Sequence, residues 1–185
     1  EEEFQKRNDL DGLGSLAVDQ GDYEKAIQYY EAANNQSALG DLYYRLQAYD
    51  KAYEIFDKAN YYSKAASSLK ENNKTDEAIT YIKAKVETNP NQPELYEIMG
   101  NIYAEKGDYE NALKAYQTLK TSELYEAKSL YLQAELNMKF QKYDEAEELV
   151  TRLQVDFKDS SYSEKGSKFK EFIDALSKNI PLVTN

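Results

Sequence analysis

The chain contains no cysteine, histidine or tryptophan, and only three prolines and seven glycines among 185 residues. Without cysteine there is no disulfide framework, thiol nucleophile or thiolate metal site; without histidine the commonest general base and metal ligand are also missing. Most hydrolase and metalloenzyme chemistries are thereby excluded. The few glycines form no Gly-x-x-x-x-Gly-Lys loop to cradle a phosphate. No apolar run approaches the roughly 20 residues that a bilayer-spanning helix requires, so no transmembrane segment is expected. Positive charge is also scarce. Against 34 acidic residues stand 23 basic ones, and a net charge of −11 repels a phosphate backbone, which argues against nucleic acid as a partner.

What is present is 41% hydrophobic and 31% charged, enough apolar material to bury a core, and it is periodic. The tripeptides Gly21-Asp22-Tyr23, Gln47-Ala48-Tyr49, Asn73-Lys74-Thr75, Gly107-Asp108-Tyr109 and Gln141-Lys142-Tyr143 are each followed three residues later by alanine: Ala26, Ala52, Ala78, Ala112 and Ala146. Twelve residues before each alanine stands another small residue, Gly14, Gly40, Ala66, Gly100 or Ala134. Four residues after it comes Tyr30, Phe56, Ile82, Tyr116 or Val150, on the same helical face one turn on. Apolar positions upstream recur at three- and four-residue steps, as in Tyr96, Met99 and Tyr103. The unit is therefore two helices joined by a turn, with small residues where the two approach.

The match of Tyr96, Met99-Gly100, Tyr103, Gly107-Asp108-Tyr109, Ala112 and Tyr116 to a known signature is nearly complete, and the pattern resembles the tetratricopeptide repeat. The resemblance covers about residues 7 to 158 in five units, closest in the first, second and fourth. It implies an all-α, right-handed α–α superhelix of five hairpins. Gln36, Lys85, Gln133 and Asn137 depart from the pattern, and Pro90 supplies its one terminal proline. From alanine to the next small residue the spacing is 14, 14, 22 and 22, so the first two junctions lack about two helical turns, roughly 12 Å at 1.5 Å per residue. The expected organisation is an N-terminal subdomain of three closely spaced hairpins over 1–88, two full-length repeats over 91–158, and a capping helix over 161–178. Pro90 and Pro93 forbid a continuous helix and mark the hinge, and Asn91 with Glu94 forms a capping box. Ser161 and Glu164 cap the last helix, whose Phe169, Phe172, Ile173 and Leu176 cover the end of the stack. Phe4 is read as belonging to a preceding helix.

The resemblance also implies a binding face lined by the first helix of each hairpin. Carried over by position, its lining includes Asn8, Asp11, Ser15, Asp19, Ser37, Asp41, Tyr44, Arg45, Ser63, Ser67 and Glu71 from the first three units. The last two add Glu94, Glu97, Asn101, Glu105, Lys128, Tyr131, Glu135 and Lys139. Where relatives of the co-chaperone type clamp a peptide carboxylate with cations, this chain has Asp11, Ser15, Ser37 and Asp41, so no such clamp exists. The implied ligand is a protein or peptide of basic or neutral polar character, anchored by Tyr44 and Tyr131, with binding that weakens in salt.

Other tempting features have plainer readings. Ten of the eighteen tyrosines fall in repeat slots that pack helices. The acidic groups Glu94 with Glu97, and Asp144, Glu145, Glu147 and Glu148, begin helices and complement the helix dipole, so no catalytic residue, metal or cofactor is assigned to them. The string Leu153-Gln-Val-Asp-Phe-Lys-Asp-Ser-Ser-Tyr162 is similar to inter-repeat segments of bacterial cell-envelope members of the superfamily, which favours a periplasmic or envelope setting over the cytoplasm. The function implied is a non-enzymatic interaction scaffold. The alternatives are a structural subunit that self-associates through its repeat ends and, well behind, an enzyme relying on carboxylates alone.

Overall fold

The computed structural model describes residues 9–119 and 123–177. Phe4, Asn8 and Pro181 lie outside them. Every described element is helical: α1 (Leu10–Asp19), α2 (Tyr23–Ala32), α3 (Gln36–Arg45), α4 (Tyr49–Lys58), α5 (Tyr62–Glu71), α6 (Thr75–Thr88), α7 (Pro93–Lys106), α8 (Tyr109–Gln117), α9 (Glu123–Lys139), α10 (Tyr143–Asp156) and α11 (Ser161–Ser177). The chain forms two compact units that divide between Tyr81 and Ile82. The hairpin repeat read from the sequence is thus realised as an all-α solenoid architecture, with α11 following the fifth hairpin.

The first unit is more regular than a repeat of hairpins. Its helices start at residues 10, 23, 36, 49, 62 and 75, thirteen apart each time. Turns within hairpins and turns between them share one geometry. Gly21, Asn34, Gln47, Asn60 and Asn73 all adopt positive φ, between 54° and 76°. At each, the amide of that residue donates to the carbonyl three back and the next amide to the carbonyl five back, as Gly21 N to Val18 O (3.0 Å) and Asp22 N to Ala17 O (2.9 Å). This closure satisfies carbonyls that a helix end would otherwise leave bare. Asp9, Asp22 and Asn35 then cap the following helices through their side chains.

In the second unit Gly107 and Gln141 keep that turn within each hairpin, but α7, α9, α10 and α11 run to 14–17 residues while α8 has 9. Helices α2 and α4 have 10 residues where α6 has 14, and α3 and α5 have 10 where α7 has 14. Set against the junction between α6 and α7, the eight residues missing from the first junction are four from the end of one helix, one from the loop and three from the start of the next. Helix α7 begins at Pro93 behind Gln92, which makes no side-chain cap bond. The expected capping box at Asn91 does not form, because Pro93 takes the first helical position and places Asn91 one residue too early.

Each hairpin closes over its small residue. A methyl placed on Gly14 would lie 2.5 Å from Tyr30 Cε1, and one on Gly40 or Gly100 would strike the Phe56 or Tyr116 ring in the same way. The alanines that define the repeat, Ala26, Ala52, Ala78, Ala112 and Ala146, are fully buried. Two departures from the family pattern are accommodated by polar pairing in the core. Buried Gln133 donates to Ser129 Oγ (2.9 Å), Ser129 donates to the Tyr116 carbonyl (2.6 Å), and buried Asn137 accepts the Tyr109 hydroxyl (2.6 Å).

Helix α11 packs on both α9 and α10. Its Tyr162, Gly166 and Phe169 reproduce the spacing of Tyr96, Gly100 and Tyr103, so this covering helix carries the pattern of a repeat's first helix. Ser163, Gly166 and Ile173 are buried, whereas Leu176, expected on the covered side, is 41% exposed. The side chain accepting a bond at its start is Ser160, from the Tyr162 amide (3.2 Å), one residue before the expected Ser161.

Candidate interaction face

In the first unit, α1, α3 and α5 are first helices of their hairpins, and the polar residues assigned to a binding face are held by neighbouring repeats. Asp11 accepts from Asn35 Nδ2 at 2.9 Å. Asp41 receives both oxygens' contacts from Lys64 Nζ, at 2.8 and 2.7 Å, and the same ammonium donates to Ser37 Oγ at 3.2 Å. Lys64 also lies over the Phe56 and Tyr61 rings, 5.3 and 5.9 Å from their centroids. Ser15, Asp19, Arg45, Ser63 and Glu71 are exposed, and Ser67 is half-buried. Tyr44 is half-buried rather than an open anchor. It meets Tyr49 edge-on at 5.3 Å and packs beside Ala52, Phe56 and Ala65, and burial pushes its phenol above the ordinary range.

In the second unit, α7 and α9 carry the corresponding residues. The Tyr125 hydroxyl donates to Glu94, and that bond raises the phenol to about 12. Glu97 and Lys128 form a half-buried ion pair at 2.5 Å. Exposed Asn101 accepts the Tyr116 hydroxyl at 2.7 Å, and Lys139 donates to the Ala104 carbonyl at 2.5 Å. Glu135 accepts the Tyr131 hydroxyl at 3.4 Å, and Glu105 is exposed. Tyr131 itself is not free: Phe169 stacks on it at 5.4 Å with planes 20° apart, and Tyr162 lies 5.7 Å away. Tyr131 is half-buried because α11 closes over that part of α9.

Sequence reasoning missed Lys64, Asn35 and Tyr125 as partners on these faces. Their signal is the repeat itself: each lies 23 to 31 residues beyond its acceptor, about one repeat along. The pairings neutralise Asp41 and Glu97, so the face is less acidic than a count of carboxylates implies. Among the described residues, no group of three acidic side chains converges to hold a metal ion, and no helix is long and apolar enough to cross a membrane.

Tetratricopeptide repeat models match residues 63–126 and 99–161, and another matches 11–37. No curated protein matches the chain. Among solved structures, a tetratricopeptide repeat protein from Parabacteroides merdae aligns over 92% of this chain and 74% of its own, at 18% identity and a TM-score of 0.58. MamA aligns over 95% of this chain and 96% of its own, at 18% identity and a TM-score of 0.55. YrrB, a tetratricopeptide repeat protein with an unusual peptide-binding site, aligns over 90% of this chain and 96% of its own, at 17% identity and a TM-score of 0.54. At such identities the likeness concerns the fold.

Proposed function

Because the chain belongs to the tetratricopeptide repeat family, we propose that it is a non-catalytic scaffold that holds a peptide or partner protein against the first helices of its hairpins. The observation that carries this reading is the set of polar side chains held in place on rigid helices. Glu94, Glu97, Asn101 and Lys139 each have a defined intramolecular partner, so little conformational freedom is lost when a ligand arrives. The Asn101 amide nitrogen is left to donate outward, since its oxygen receives Tyr116. The fold of YrrB, which is described as binding peptide, accords with the proposal.

The ion pairs at Asp41 and Glu97 favour a neutral polar ligand over a strongly basic one, with Asp11, Ser15 and Arg45 as contacts on the first unit and, separately, Asn101 and Glu135 on the second. A cell-envelope setting rests on the Leu153–Tyr162 string, and fractionation of the source cells tests it. The binding role is tested by recovering partners from the source organism with the intact chain, Arg45→Glu and Asn101→Arg, then titrating the partner identified. Both positions are exposed, so folding should survive. The reading predicts lost recovery in at least one variant; equal recovery by all three would place the contact elsewhere.

A further inference from the structure

A cavity of about 530 Å³ opens in the second unit between the first turn of α9, the last turn of α10 and the loop into α11. Its floor includes Ala127, which is buried, and Phe157, both packed in one cluster with Leu130 and Leu153. Its walls include Leu124 and Val155, which are 62% and 72% exposed. No other large apolar side chain among the described residues exceeds 43%. The two most water-exposed aliphatic groups therefore flank the same hollow, whose apolar floor is continuous with the core. The volume falls within the range of about 300–1,000 Å³ typical of ligand pockets.

Charge at the rim restricts what can enter. Asp156 and Asp159 stand there with Lys158 between them, leaving one net negative charge. Helix α10 ends at the same place with no basic residue in its last turn, so the negative end of its dipole faces the rim without a cation from that turn. Apolar walls with a negative rim match a bulky apolar group that has a cation beside it.

We propose that this cavity is a docking site, separate from the first-helix faces, for an extended peptide segment in which a large apolar residue stands next to lysine or arginine. The apolar side chain enters between Leu124 and Val155 onto Phe157. The neighbouring cation pairs with Asp156 or Asp159. Such a site lets the scaffold hold two ligands at once.

The test uses three fluorescein-labelled peptides, Gly-Lys-Phe-Lys-Gly-Ser, Gly-Glu-Phe-Glu-Gly-Ser and Gly-Lys-Ser-Lys-Gly-Ser, titrated by anisotropy against the full chain. The first is expected to bind at least about tenfold more tightly than the other two. Leu124→Asp with Val155→Asp should abolish the difference, the milder Val155→Ser should reduce it, and Asn101→Arg should leave it unchanged. Circular dichroism verifies that the variants stay folded, and Val155→Ser keeps the comparison valid if the double variant does not. Equal binding of the three peptides, no detectable binding of the first, or full binding by Val155→Ser would overturn the site. So would a concentration-dependent oligomer that the same variants dissolve, since a second copy of the chain would then be the occupant.

Discussion

Gly40→Ala places a methyl group against Phe56, a ring that is 1% exposed. Two effects of opposite sign compete. Alanine is better than glycine inside a helix by about 1 kcal/mol. Forcing a methyl into a packed interface costs about 1–3 kcal/mol, and a buried aromatic ring lies toward the top of that range. The net expectation is a loss of about 1–2 kcal/mol, or roughly 2–8 °C in melting temperature for a chain of this size. Gly166→Ala is the control. There the added carbon would meet Leu153 Cδ2 at 3.1 Å, the far end of a flexible side chain, and the propensity gain should leave stability unchanged or higher. Thermal melts and urea titrations of both variants read the difference. Adding Phe56→Leu to Gly40→Ala completes a double-mutant cycle, in which the smaller side chain should relieve part of the loss through a coupling of about 1 kcal/mol. A Gly40→Ala protein that melts higher than the wild type, with no coupling to position 56, would refute the account of why small residues recur at this slot.

Gln47 and Gln141 hold positive φ without the tolerance of glycine or asparagine. Replacing either by glycine should stabilise the chain by about 0.5–1 kcal/mol, measured as a higher urea midpoint, whereas Asn34→Gly should gain less. Tyr116 is raised well above the ordinary phenol range by burial, with the nearby carboxylates of Glu135, Glu97 and Glu105 adding to the effect. A raised folded pKa means that its contribution is complete below the unfolded value near 10 and is lost as pH climbs beyond it, at about 1.4 kcal/mol per pH unit. Urea midpoints followed from pH 8 upward should hold level to about 10 and then fall, less steeply in Tyr116→Phe; parallel slopes in the two proteins would show that Tyr116 ionises without opening the fold.

The repeat was legible because each hairpin imposes the same demand at the same place. A slot that admits only a small residue, an alanine twelve positions on and a large apolar group four beyond it leave few choices, and Gly40, Ala52 and Phe56 meet them in one unit as Gly100, Ala112 and Tyr116 do in another. The thirteen-residue period was equally available, in Gly21, Asn34, Gln47, Asn60 and Asn73, but reading it requires knowing that asparagine and glutamine there stand where glycine would. A left-handed turn is a backbone state, and residue type signals it only weakly once glycine is replaced.

The interaction face was legible as a set of positions and not as a set of free groups. Helical spacing places Asp41, Glu97 and Tyr131 on first helices. Whether each meets solvent depends on what the adjacent repeat lays against it: Lys64 on Asp41, Lys128 on Glu97, Phe169 on Tyr131. The cavity between Leu124 and Val155 is more remote still, for it exists only where the start of α9 meets the junction of α10 and α11, about one repeat further along the chain. By itself the sequence determined the helices, their pairing and the close contacts at small residues, since these follow from local periodicity and side-chain size. Only the tertiary structure decided which charges remain unpaired and which apolar groups stay in water, because burial is a property of neighbours brought together by folding and not of the order of residues.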